Sequence, residues 1–136
     1  MIGLDTNILV RLLTDDDPVQ AGAAQRLLET EASAQSPAFV DRVALVELVW
    51  VLQRRYGYGR DAVADAVVAL LRSPVLRLED PARVIDAVRI YRDSTADFAD
   101  VMLVLGARAA GCEALATFDR GAARLDGALL LEAGGS

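Results

Sequence analysis

Four acids stand where the chain could use them for chemistry: Asp5 in "MIGLDTNILV", Glu47 in "RVALVELVWVLQRR", Asp100 in "DSTADFADVML" and Asp119 in "ATFDRGAAR". A carboxylate set among apolar residues is costly unless another charge or a metal balances it. Glu47 has Val43, Trp50 and Val51 one helical turn away; the alternative is that it faces solvent and meets Arg54 two turns on. Carboxylates that converge repel one another and take up protons unless a cation sits between them. Oxygen ligands without histidine or cysteine select a hard cation, Mg²⁺ or Mn²⁺. Such a metal can activate water and stabilise charge on phosphoryl oxygens, so the chemistry implied is hydrolysis. Neither a histidine base nor a catalytic lysine is available, because the chain has no histidine and all 14 of its basic residues are arginine.

The elements that must position these acids can be read from the apolar runs. Met1 to Leu4 reads as a short strand ending at Asp5, with a helix from Ile8 to Leu13 beyond it. "TDDDP" supplies Asp17 as an N-cap and Pro18 at the first position of a helix reaching about Ala32. A strand over Ser36 to Val40 leads to a helix from Arg42 to Tyr56, capped by Asp41 and stopped at "GYG". A helix over Asp61 to Leu71, a strand over Val75 to Asp80 and a helix from Pro81 to about Asp93 follow. The last third reads as a helix from Asp97 to Ala110 closed by Gly111, a strand from Glu113 to Asp119, a short turn, and a strand from Ala128 to Ala133.

Strands that are apolar runs alternating with helices imply a parallel sheet covered on both faces. Ligands bind outside the carboxyl ends of such strands, where Asp5 and Asp119 fall. Asp100 begins the helix just before the strand that ends at Asp119, so adjacent strands would bring Asp5, Asp100 and Asp119 to one point. Local roles remain open for two acids. Ser94 to Asp97 matches a capping box, and Asp119 would serve to cap the turn after it.

Composition bounds the rest. The 136 residues suit one domain, 54% hydrophobic and only 5% aromatic, with a net charge of −6 that offers no overall attraction to nucleic acid. No apolar run approaches the ~18 residues of a membrane span. No basic segment precedes a hydrophobic one at the start, and the single Cys112 cannot form an intramolecular disulfide, so a cytoplasmic location is expected.

"MIGLDTNILVRLL", the isolated Glu47 and "DFADVMLVLGARAAGCEALATFDRGAARL" together resemble the PIN-domain ribonucleases, most nearly the VapC-type toxins of type II toxin-antitoxin pairs. The resemblance covers essentially the whole chain. It implies an α/β, three-layer α/β/α domain over residues 1–133, with a central parallel sheet of four to five strands and a flexible tail at 134–136. It carries over an acidic quartet, Asp5, Glu47, Asp100 and Asp119, around Mg²⁺ or Mn²⁺. Asp5, Asp100 and Asp119 would be the metal ligands, with Asp5 and Asp100 foremost. Thr6, Asn7 and Thr117 match positions that orient the carboxylates, and Asp97 is an accessory acid.

The activity implied is endonucleolytic cleavage of RNA. An acidic protein then needs local cations for its substrate, and Arg11 and Arg120, with Arg54, Arg55 and Arg124, lie nearest the acidic motifs in sequence; each could equally be a solvated surface charge. A homodimer and an antitoxin whose peptide covers the site are the partners implied.

Rival readings fit less well. Haloacid-dehalogenase-like phosphatases and receiver domains use a lysine, which this chain lacks, and the former want an acid where Asn7 stands. A P-loop enzyme needs a glycine-rich loop ending in lysine. A PIN-like module that binds RNA or protein without cutting would keep the four acids at a cost and without a return.

Overall fold

The computed structural model describes residues 1–133, so the expected tail at 134–136 lies outside the described residues. Its contacts fall into two compact units, Met1–Pro81 and Ala82–Ser136.

In the first unit, α1 (Thr6–Leu13) starts two residues earlier than the apolar run suggested. Asp5 has extended backbone and its side chain accepts a 2.6 Å hydrogen bond from the Thr6 amide, which lets Thr6 and Asn7 enter the first turn. α2 (Pro18–Glu31) opens as expected, with Pro18 leading and Asp17 accepting from the Gln20 amide at 3.0 Å. β1 (Ala38–Val40) pairs in parallel with β2 (Leu76–Leu78), Ala38 opposite Leu76.

The expected first strand is reduced to a single parallel bridge between Gly3 and Phe39. Two backbone bonds make it, Phe39 N–H to Ile2 at 2.7 Å and Leu4 N–H to Phe39 at 2.9 Å. Capping by Asp5 bends the chain into helix too soon for a longer ladder.

α3 (Arg42–Tyr56) is capped by Asp41, which accepts from the Val43 amide at 2.7 Å. It ends where Gly57 takes φ +68°, a left-handed turn that lets the Gly57 and Tyr58 amides both reach the Leu52 carbonyl. α4 (Arg60–Arg72) completes the unit. Leu9, Leu45, Leu48, Leu52, Val63 and Val67 form its interior, each with no exposed surface.

In the second unit, α5 (Pro81–Arg92) and α6 (Phe98–Ala109) bury Val84, Ala87, Tyr91, Phe98 and Val101. Tyr91 and Phe98 meet edge to face, with centroids 5.6 Å apart and planes at 80°, the arrangement favoured by ring quadrupoles. Gly111 at φ +90° follows the end of α6 as expected. β3 (Leu115–Thr117) and β4 (Ala128–Leu130) pair in parallel around the 3₁₀ turn Ala122–Arg124.

The α/β class and the parallel direction of every pairing agree with the apolar runs. Among the described residues the strands pair as two two-stranded sheets, β1–β2 and β3–β4, where one ladder of four or five was expected. Each strand has only three residues and supplies few ladder bonds. No helix among the described residues is long and apolar enough to cross a membrane.

Candidate active site

The first unit holds Asp5 and Glu47, and Thr6 joins their elements. Thr6 is 8% exposed, and its hydroxyl donates to a Glu47 carboxylate oxygen at 3.2 Å, linking the start of α1 to the middle of α3 across 41 residues of sequence. One residue therefore serves both acids, its amide on Asp5 and its hydroxyl on Glu47.

Glu47 itself is exposed, and so are Val43 and Trp50, at 61% and 56%. The apolar surroundings inferred for Glu47 are thus an open helix face, because α3 turns Leu45, Leu48 and Leu52 inward instead. Nor does Arg54 answer Glu47. Its guanidinium lies over the Trp50 ring, 5.4 Å from the centroid. Asn7 lines a groove of about 420 Å³ between α1 and α2, together with Ile8, Arg11, Gln20 and Leu27.

Arg11 is engaged locally. It donates to Gln20 at 2.7 Å, to Asp16 at 2.8 Å and to the Tyr56 hydroxyl at 3.5 Å, and Tyr56 donates in turn to Asp16 at 2.7 Å. The Tyr56 hydroxyl, with help from Thr14 and Arg11, holds the Asp16 carboxyl below its ordinary range. Its donors thus secure the "TDDDP" turn.

The second unit holds Asp97, Asp100 and Asp119. Asp97 is the N-cap of α6 but makes no side-chain cap bond. The anticipated capping box is absent because the Ser94 hydroxyl accepts from the Ala96 amide instead, at 3.4 Å. Asp100 lies in the first turn, half-buried beside Val101 and Met102. Burial first, then the negative charges of Asp119 and Asp97, push its carboxyl above the ordinary range.

Asp119 does cap the turn after it, Oδ1 accepting from the Ala122 amide at 2.9 Å, while its own amide donates to the Thr117 hydroxyl at 3.0 Å. Thr117 thereby fixes the backbone from which Asp119 projects. Sequence reasoning missed Gly121, where a Cβ would stand 3.1 Å from Asp119 Oδ1. Arg120 and Arg124 are exposed.

In a chain without histidine, the half-buried Asp100 and its acidic neighbours offer oxygen donors, the type that a hard cation prefers. Among the described residues no group of three or more acidic, histidine or cysteine side chains is close enough to hold an ion. What gathers at Asp100 is unbalanced negative charge rather than a finished cage.

Comparison with known proteins adds three findings. A family model described as "PIN domain" matches residues 2–128. A VapC ribonuclease of Aquifex aeolicus is 21% identical over 117 residues, 86% of each chain. A crystal structure of VapC20 of Mycobacterium tuberculosis, titled a sarcin-ricin loop cleaving toxin, is 22% identical, covers 87% of this chain and 88% of that one, and superposes with a TM-score of 0.44.

Proposed function

This chain belongs to the PIN-domain family, and from that premise we propose that it is a divalent-metal-dependent endoribonuclease, the toxin of a toxin-antitoxin pair. The α/β fold with parallel strands is that of the family, and the ribonuclease relative matches over 86% of both chains. The observation that carries the reading is the match of the PIN-domain model to residues 2–128, and in a chain without histidine the donors at Asp97, Asp100 and Asp119 are carboxylate oxygens.

Asp5, Asp100 and Asp119 are assigned as the ligands of Mg²⁺ or Mn²⁺, with Glu47 completing the acidic quartet. The ion when bound supplies an activated water and charge stabilisation at the scissile phosphate. The chain's own residues do the positioning. Thr6 aims Asp5 and Glu47, and Thr117 and the Ala122 amide hold Asp119. Glu47, exposed and hydrogen-bonded by the Thr6 hydroxyl, is assigned as the acceptor of the proton from the attacking water. Asp97 is the accessory acid whose charge bears on Asp100. Arg120, next to Asp119 in sequence and exposed, is the assigned phosphate contact.

A cytoplasmic location belongs to the same reading, supported by a cellular RNA substrate and a free cysteine at 112. A homodimer and a small antitoxin that covers the acids complete the assignment. The test is cleavage of structured RNA with Mg²⁺, repeated with Asp5→Asn. Cleavage should appear with the natural chain and vanish with the variant. Binding without cleavage in both would make the chain a non-catalytic RNA-binding module and overturn the proposal.

A further inference from the structure

The only tryptophan of the chain, Trp50, is 56% exposed in the middle of α3, an unusual place to leave so large an apolar ring. It lies three residues beyond Glu47, so both project from one face of the helix, roughly 4.5 Å apart along its axis. Arg54, one turn further, sets its guanidinium against the ring, 5.4 Å from the centroid, and Arg55 beside it is also exposed. Along this face the order is therefore carboxylate, aromatic ring, cation.

We infer that Trp50 and Arg54 form a stacking platform for a nucleotide of single-stranded RNA next to the cleavage site, with the base on the indole and the adjoining phosphate on the guanidinium. The inference rests on the nuclease reading and names a substrate contact that reading leaves open. Every base has a π-face, so an exposed ring beside a cation binds single strands with little regard to sequence, and arginine adds charge and planarity to the stack. The chemistry favours RNA over a protein partner. Arg54 and Arg55, both exposed, set two cations beside the ring, and their charge complements the phosphates on either side of a stacked base.

Because Trp50 is the sole tryptophan, its emission reports the platform directly. The protein is titrated with a mixed-sequence single-stranded RNA decamer in excess chelator, so that nothing is cut. Stacking should quench the emission substantially. In a separate binding assay with labelled decamer, Trp50→Ala should weaken affinity about 5- to 100-fold and Trp50→Phe should restore most of it. Arg54→Gln should weaken binding several-fold and flatten its salt dependence. In Mg²⁺, Trp50→Ala should raise KM with kcat little changed, the mark of binding rather than chemistry. Circular dichroism checks that the variants fold.

Cleavage by the natural chain with no quenching, and with KM untouched by Trp50→Ala, overturns the inference and leaves the nuclease reading standing. Quenching without cleavage in Mg²⁺ does the reverse. Emission that shifts blue with protein concentration and ignores RNA assigns this face to a second copy of the chain, and also overturns the inference.

Discussion

The acids of the two units are held on opposite principles. Around Thr6, each acid receives a hydrogen bond: Asp5 from an amide at 2.6 Å, Glu47 from a hydroxyl at 3.2 Å. Around Asp100 the neighbours are acids, and burial adds to their effect. The first arrangement aims carboxylates at little electrostatic cost. The second stores repulsion that only a proton or a cation relieves. Each arrangement lies within one unit, Asp5, Thr6 and Glu47 in the first and Asp97, Asp100 and Asp119 in the second.

The contrast is broken most severely at Asp100. Asp100→Asn should lower RNA cleavage by roughly 100-fold or more, since charge stabilisation at a reacting centre is worth that much. It should nonetheless leave the melting temperature unchanged or slightly higher, because a repelled charge has gone. A clear fall in melting temperature would mean that Asp100 is balanced in the metal-free protein, and the contrast would collapse.

Thr6 probes the other half. Thr6→Val keeps the shape but removes the hydroxyl, and should cost about 1 kcal/mol of stability and roughly 10-fold in cleavage through a misaimed Glu47. Thr6→Ser should recover both. Thermal melts and cleavage rates measured on the same samples would separate the two losses.

A smaller effect is expected at Gly121, whose φ of −65° any residue can adopt. Only space is at issue, since a Cβ there would stand 3.1 Å from Asp119 Oδ1. Gly121→Ala should lower cleavage a few-fold, with the midpoint for activation by Mg²⁺ moved upward and melting nearly unaltered.

The smallest effect lies away from the acids, in the salt bridge of Arg42 with Glu79, 2.6 Å between Nη2 and Oε2. Hydrogen bonds from the Arg42 side chain and amide hold the Glu79 carboxyl below its ordinary value of 4.5. Its contribution is therefore present above that value and lost as the pH falls beneath it. Both side chains are partly exposed, so Glu79→Gln should shift an acid-denaturation curve only slightly and less in high salt.

Much of this was legible in the sequence, and what was not has physical reasons. Asp17 with Pro18, Asp41 and the glycines at 57 and 111 announced helix ends because capping is local chemistry. The extent of the strands was not legible. Apolar runs over Val75 to Asp80 and Glu113 to Asp119 became strands of three residues, since pairing is decided by distant partners. The types of the four acids pointed to a hard-metal site, but whether Glu47 turned inward or to solvent stayed open, because helical spacing alone does not say which face of α3 is buried; it is exposed. The partners of Arg11 were not legible for a similar reason: nothing local reveals that Tyr56, 45 residues on, engages it.

α3 carries three consequential groups in a row: Glu47, then Trp50 under Arg54, then Tyr56 tied to Asp16 at 2.7 Å. The helix is thus a ruler, its graduations fixed by Asp41 at one end and Gly57 at the other. One residue inserted between Glu47 and Trp50 would rotate everything downstream by about 100°. The segment should tolerate exchange of many side chains and hardly any change in length.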